Sequence, residues 1–382
     1  MDSPAANRPN HPPRGASKWL AWLPGLAISS AVAAYVLIVF GSHVRVSDSG
    51  MGCPDWPLCS GSVGPIYEFH ALMEQTHRYI AGIVTILAFL TALLAYRART
   101  HLGQRATTVR PAVFTAGIIV VQIALGAVTV FAGNGAPTVA AHLIAGVAML
   151  VGATVTTVCA LVPVRPTQET RPRLGRVGWV AIGAAGVLFV SGSLIVNAEA
   201  EQACASFPLC PSGRPGNLIW PHLLHRGIAV LAGIALLMFC VHAWRRWSDI
   251  RGAHAVAATL AALVVATATL GIVSALLKAP PGWQDLHLAG AAAVLAASAA
   301  LASLGWLTGA DYPQARPGQG TKQGSTGRSR RSLLQPPHER MRYVVLGGRS
   351  RRRWSPVPGR ARRHVDSPWR ASRGSADTRT TP

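Results

Sequence analysis

The chain has 382 residues, half of them hydrophobic and only 13% charged, against about 25% charged in an average soluble protein; that deficit excludes an ordinary soluble enzyme. The formal net charge of +22 resembles that of a nucleic-acid binder, but residues 309–382 alone carry 17 Lys/Arg and four acids, and the 290 residues of the body hold only +7. The body reads as a membrane protein and the excess charge as its tail.

A membrane-crossing helix needs about 20 largely apolar residues. Eight stretches qualify: 19–40, 74–96, 111–132, 137–162, 177–196, 221–243, 254–277 and 284–308. The first follows Arg8, Arg14 and Lys18, as a signal peptide would, but it is longer than an h-region of about 7–15 residues and reads as an anchor. Loop 97–110 carries Arg97, Arg99, Arg105 and Arg110, loop 163–176 carries Arg165, Arg171, Arg173 and Arg176, and loop 244–253 carries Arg245, Arg246 and Arg251. The alternate loops hold only Arg45, Arg214 and Lys278. Because Lys and Arg stay on the cytoplasmic side, both termini are expected there. The tail from Gly309, rich in Arg, Pro, Ser and Gly, cannot bury a core and is expected to be disordered. Membrane lipid is its expected neighbour; no folded module accompanies the charge, so nucleic acid is not an expected partner.

Within the spans the chain repeats itself. Cys53-Pro-Asp-Trp-Pro-Leu-Cys59, Glu74-Gln-Thr-His77-Arg78 and His142-Leu-Ile-Ala-Gly146 are followed by Cys204-Ala-Ser-Phe-Pro-Leu-Cys210, His222-Leu-Leu-His225-Arg226 and His287-Leu-Ala-Gly290. The offsets are 151, 148 and 145 residues. An ordered repeat at near-constant spacing gives the architecture: an all-α membrane protein of eight helices, arranged as two parallel-repeat four-helix bundles. The expected organisation is a segment 1–18, a first half 19–162, a cytoplasmic linker 163–176, a second half 177–308 and the tail 309–382.

His77, His142, His225 and His287 fall near the outer ends of the second, fourth, sixth and eighth spans. Each half therefore offers two imidazoles at one depth, which suits bis-imidazole ligation of a heme iron between facing helices. A lone interfacial histidine is usually a satisfied polar residue, but four at matched depth with repeated neighbours favour ligation; zinc lacks a thiolate or carboxylate set here. Arg78 and Arg226 can pair with heme propionates or snorkel to headgroups. His43, His70, His101, His242 and His254 read as loop or interfacial residues, and His222 is ambiguous.

Glu74, one helical turn before His77, corresponds to His222 in the second half. It lies on the face of His77 and can act as a general base or stabilise a developing cation; the alternative is a carboxylate favoured at a helix N-terminus. The Cys53/Cys59 and Cys204/Cys210 pairs lie in outer loops, where disulfides form. They can clip the loops or exchange in a redox relay. Cys159 and Cys240 read as packing residues.

The pattern resembles the heme A synthase family. The resemblance rests on Arg45, Ser49-Gly-x-Gly-Cys53-Pro-Asp-Trp-Pro-Leu-Cys59, Glu74-Gln-Thr-His77-Arg78, Gly126-Ala-Val-Thr129, His142, His225-Arg226 and His287, and covers residues 19–308. His43, before the Arg45 segment, departs from the pattern. The resemblance implies an enzyme that oxidises the C8 methyl of heme O to a formyl group, with oxygen from water, for terminal oxidases. It implies substrate heme at His77 and His142, heme b iron on His225 and His287, and Glu74 as the reactive carboxylate. Arg45, Arg78 and Arg226 are the propionate-binding candidates. Heme O synthase and terminal oxidase assembly factors are expected partners, with a homo-oligomer open. The rivals are a di-heme b-type cytochrome that transfers electrons without an organic substrate, which gives Glu74 no task, and a parallel-repeat transporter, which would place polar or broken helices at the midplane.

Overall fold

Apolar side chains surround most of each span, so the segments have no polar face to leave in water, and backbone polar groups in lipid must be satisfied within the helix. The computed structural model describes residues 21–64, 66–102, 107–162, 175–197, 200, 203–204, 206–210 and 219–308. Segment 1–18, most of the 163–176 linker and the tail 309–382 lie outside them. The described residues form eight helices: α1 (Trp22–Val46), α2 (Phe69–Leu102), α3 (Val109–Phe131), α4 (Ala136–Leu161), α5 (Arg176–Asn197), α6 (Ile219–Arg246), α7 (Ala253–Leu276) and α8 (Pro281–Thr308). All eight are long and apolar enough to cross a membrane, and the chain is a multi-pass, all-helical membrane protein.

Helix α1 packs on α2 and α4, and α3 on α2 and α4. Likewise α5 packs on α6 and α8, and α7 on α6 and α8. The two sets meet through α4–α8, α1–α8 and α4–α5. About 67% of the most apolar stretch of α4 and 56% of that of α8 is buried, against 17–33% in the other six, so α4 and α8 are the central helices. Small residues permit this: without a hydrophobic force between helices in lipid, close backbone approach supplies the packing, and Gly152 and Gly290 touch Thr115 and Thr267 of the preceding helices. One buried cluster draws on all eight helices, including Leu37, Val84, Ile119, Leu150, Phe189, Phe239, Leu260 and Leu295.

Trp247, just past α6, is 1% exposed, and a Cβ at Gly305 of α8 would stand 2.5 Å from its Cη2. Gly305→Val therefore overpacks a rigid aromatic contact. It is expected to cost about 1–3 kcal/mol, read as a lower midpoint for heat-induced loss of folded, detergent-solubilised protein.

The helices differ from the sequence expectation at their ends. Helix α1 continues to Val46, which places His43 and Arg45 on its last turns and not in a loop. Helix α2 starts at Phe69, five residues before the expected start, where Glu68 Oε2 accepts the Ala71 amide at 2.6 Å. The four histidines thus lie eight, six, six and six residues inside α2, α4, α6 and α8, about 9–12 Å along the axis at 1.5 Å per residue.

Candidate heme sites and their outer loops

Each of the four histidines faces a glycine on the helix before its own. A Cβ at Gly41 would stand 2.8 Å from His77 Cε1, one at Gly126 3.5 Å from His142 Cε1, one at Gly192 3.2 Å from His225 Cε1 and one at Gly271 2.7 Å from His287 Cε1. Gly41 and Gly192 are 151 residues apart, and Gly126 and Gly271 are 145 apart, the same offsets as the other repeated words. The glycines let each imidazole bring its Cε1 edge close to the neighbouring backbone. Sequence reasoning noted Gly126 only as part of a motif and missed the other three; their offsets were the signal that could have found them.

The halves differ in what fixes the rings. His225 Nδ1 is hydrogen-bonded with Ser191 Oγ at 2.8 Å, and His287 Nδ1 with the Thr267 carbonyl at 3.0 Å. Each bond leaves Nε2 as the remaining nitrogen. The two rings face each other with centroids 6.4 Å apart and planes at 89°. That spacing accommodates one metal atom bonded to both rings at about 2 Å per bond. Ligand histidines ordinarily use their second nitrogen in this way, which sets tautomer and orientation. In the first half, Phe40 stands where the 151 offset places Ser191. His77 Nδ1 and His142 Nδ1 are buried with no hydrogen-bond partner among the described residues; the Gln122 carbonyl lies near His142 without reaching hydrogen-bond geometry.

Above the histidines, both expected disulfides are formed, Cys53–Cys59 with Cα atoms 4.8 Å apart and Cys204–Cys210 with 5.4 Å. Each loop carries a cis X-Pro bond, Trp56-Pro57 and Phe207-Pro208. Asp55 closes the first loop by accepting the Ser60 and Gly61 amides at 2.6 and 2.7 Å. The Gly61 amide above all holds this exposed carboxyl below the usual carboxylate range, with the Ser60 amide and the Arg78 charge acting the same way. Gly52 lies against the start of α2, where a Cβ would stand 2.3–2.5 Å from the His70 and Ala71 backbone.

Glu74 and Arg78 bind this loop to α2. Glu74 is 5% exposed; its Oε1 accepts Arg78 Nη2 at 2.5 Å and its Oε2 accepts the Cys53 amide at 2.9 Å. Arg78 Nη1 donates to the Asp55 carbonyl at 2.8 Å and to that of Leu58. In the second half, Arg226 Nη1 donates to the Pro208 carbonyl at 2.9 Å. His222, in the place of Glu74, uses Nε2 on the Ala200 carbonyl at 2.5 Å. Both arginines thus hold loop carbonyls, a task that neither sequence reading gave them.

Arg45 behaves differently. It reaches from α1 to the Val196 carbonyl of α5 at 3.4 Å, and its buried Nε has no partner among the described residues, so a donor remains for an acidic group. His43, expected as a loop or interfacial residue, is paired on α1 with Asp285 of α8, Nδ1 to Oδ2 at 2.9 Å. Cys159 and Cys240 are buried and free, as packing residues would be.

A sequence profile described as COX15-CtaA, cytochrome oxidase assembly protein, matches residues 25–70 and 65–299. Among curated relatives, the Heme A synthase of Shouchella clausii is 29% identical over 277 residues, covering 66% of this chain and 91% of its own length. That of Staphylococcus saprophyticus is 27% identical, covering 67% and 87%. That of Bacillus licheniformis is 26% identical, covering 59% and 77%.

Proposed function

Because the chain belongs to the COX15-CtaA family of cytochrome oxidase assembly proteins, we propose that it acts in heme A biosynthesis by oxidising the C8 methyl of heme O to a formyl group, with the oxygen taken from water. The supporting likeness is to relatives named Heme A synthase over most of their length. The observation that carries the division of labour is the histidine asymmetry: His225 and His287 have their Nδ1 atoms bonded to Ser191 and Thr267, whereas His77 Nδ1 has no partner among the described residues and His142 has only the Gln122 carbonyl nearby. A resident group needs a permanent, oriented ligand pair. A substrate that must enter and leave needs a less committed one.

In this reading His225 and His287 hold heme b, whose iron supplies one-electron redox chemistry when bound. The substrate heme O sits between His77 and His142. Arg45, with its unused Nε, is the best placed of the three arginines to take a propionate, since Arg78 and Arg226 are engaged with loop carbonyls. Glu74, kept beside the Arg78 guanidinium, offers negative charge one turn from His77. It stabilises positive charge developing at the methyl carbon or orients the attacking water. The disulfide loops cover the outer ends of both sites, and redox exchange at Cys53 and Cys59 or at Cys204 and Cys210 would act there. The four-and-four arrangement of parallel repeats is supported by the matching neighbours of α1–α4 and α5–α8. Cytoplasmic termini are supported by the arginine-rich alternate loops. Heme O synthase and oxidase assembly factors are the partners this role calls for.

The test is expression in a host that makes heme O but no heme A. Appearance of heme A in extracted membranes is the expected result; membranes that retain only heme O contradict the proposal. The glycine slots give a second, graded expectation. Gly271→Ala sets a methyl 2.7 Å from the His287 ring, whereas Gly192→Ala sets one at 3.2 Å from His225 of the same pair. Purified Gly271→Ala protein should lose most of its b-type heme, and Gly192→Ala should retain more of it; equal heme content in both would contradict ring positioning by the glycine.

A further inference from the structure

A cavity whose lining includes none of the four histidines lies at the seam where α1 of the first half meets α8 of the second. It measures about 310 Å³ and is lined by Tyr35, Val36, Val39, Phe40, His43 and Asp285. Five of these are on α1, and Val36 is 45% exposed, so the groove opens sideways toward the bilayer. Its polar groups are gathered at the outer end. His43 Nδ1 is bonded to Asp285 Oδ2 at 2.9 Å, which leaves the His43 Nε2 edge as the polar group on offer, and Asp285 Oδ1 is buried without a partner among the described residues. Deeper in, Tyr35 donates to the Ala289 carbonyl at 3.1 Å.

The pair is not part of the repeat. By the 151 and 145 offsets its counterparts on the opposite seam, α4–α5, are Leu194 and Ala140. A clip needed for joining two similar halves would be expected at both seams, whereas a binding site needs only one. The position is also specific: Gly41, two residues before His43, faces His77, and Asp285 is two residues before His287. The groove therefore sits at the axial level of both histidine sites, on other faces of α1 and α8.

We propose that this groove binds the ring of a lipid-soluble quinone, which takes the electrons of the reaction; this rests on the function proposed above. An apolar wall with polar donors at one end matches a quinone, an apolar ring with a carbonyl oxygen at its edge, and about 300 Å³ is the lower size of small-molecule sites. The chemistry requires a two-electron oxidant that resides in the membrane. Converting a methyl to a formyl group with water releases four electrons and four protons: R–CH3 + H2O + 2 quinone → R–CHO + 2 quinol. Each quinone gains two electrons and two protons, the water oxygen ends in the formyl group, and nothing is left over. Asp285 accepts one ring N–H of His43; with the second proton on Nε2 the imidazolium donates a hydrogen bond to the quinone carbonyl, and Val36, Val39 and Phe40 hold the ring.

The test uses the full chain in phosphatidylcholine nanodiscs with a photoreactive short-tail benzoquinone as the probe and decylubiquinone as the competitor. Cross-links are expected in peptides containing residues 35–43 and 281–289, saturable and competed by decylubiquinone. Val39→Trp fills the groove and should lower labelling at least tenfold, while Leu194→Trp on the opposite seam should not. Should Val39→Trp fail to fold, His43→Leu, which removes only the polar contact, should weaken the competitor about tenfold with bound heme unchanged. Labelling that is not competed, that maps elsewhere, or that survives both groove variants would overturn the site. A chain that labels as expected yet makes no heme A would contradict the proposed function and leave the quinone groove standing.

Discussion

Replacing His225 or His287 with alanine is expected to leave purified protein without its b-type spectrum, at less than a tenth of the native heme per chain, while the eight helices remain folded. The expectation follows from how the pair is held. The rings face each other at 6.4 Å, and each outer nitrogen is committed to a hydrogen bond, so neither ring can swing to compensate for loss of the other. The preparatory bonds should matter less than the ligands. Ser191→Ala removes only the partner of His225 Nδ1 and should weaken heme retention by about 10–100-fold, the usual effect of losing an outer partner of a metal ligand. The same alanine substitutions at His77 and His142 should leave the b-type spectrum in place and abolish turnover. Unchanged absorption in His225→Ala and His287→Ala would refute ligation by this pair.

Glu74→Gln is the second change with a large expected effect: turnover should fall by about 10²–10⁴-fold, the usual worth of a positioned acid–base or charge-stabilising group, with resident heme retained. The structure supplies a way to separate charge from architecture, because Glu74 also accepts the Cys53 amide and the Arg78 guanidinium. A glutamine is as long as glutamate and its amide oxygen can still accept the Cys53 N–H, so it keeps the loop tie and loses the charge. An aspartate keeps the charge and is one methylene too short for that tie. If Glu74 works through its charge, Glu74→Asp retains more activity than Glu74→Gln. The reverse order would assign Glu74 to holding the disulfide loop and remove it from the chemistry.

Much of this was legible in the sequence because a bilayer imposes strong rules. Eight apolar stretches became eight helices, and the repeated Pro-Leu-Cys words became two disulfide-closed Cys-x5-Cys loops. The ends of the helices were less legible. Polar residues such as His43, Arg45 and Glu68 lower apolarity without ending a helix, so α1 and α2 extend past the apolar run. The pairing of His43 with Asp285 depends on how α1 meets α8, a contact 242 residues apart in sequence that no local pattern encodes. The loop contacts of Arg78 and Arg226 were missed for a related reason. Their charge suggested an anionic ligand, while the folded loops offer carbonyl oxygens within reach. The glycines opposite the histidines were present in the offsets but carry no chemistry of their own, so only the packing reveals their task.

The most direct test of the account is the identity of the hemes bound to the full chain purified from cells that also make heme O. Extraction and chromatography should yield heme B together with heme O, heme A or a hydroxylated intermediate, one pigment for the His225–His287 pair and one for the His77–His142 pair. Heme B alone, at two per chain, would contradict it: both histidine pairs would then hold the same resident group, as in an electron-transferring cytochrome, and Glu74 would be a structural carboxylate beneath the disulfide loop.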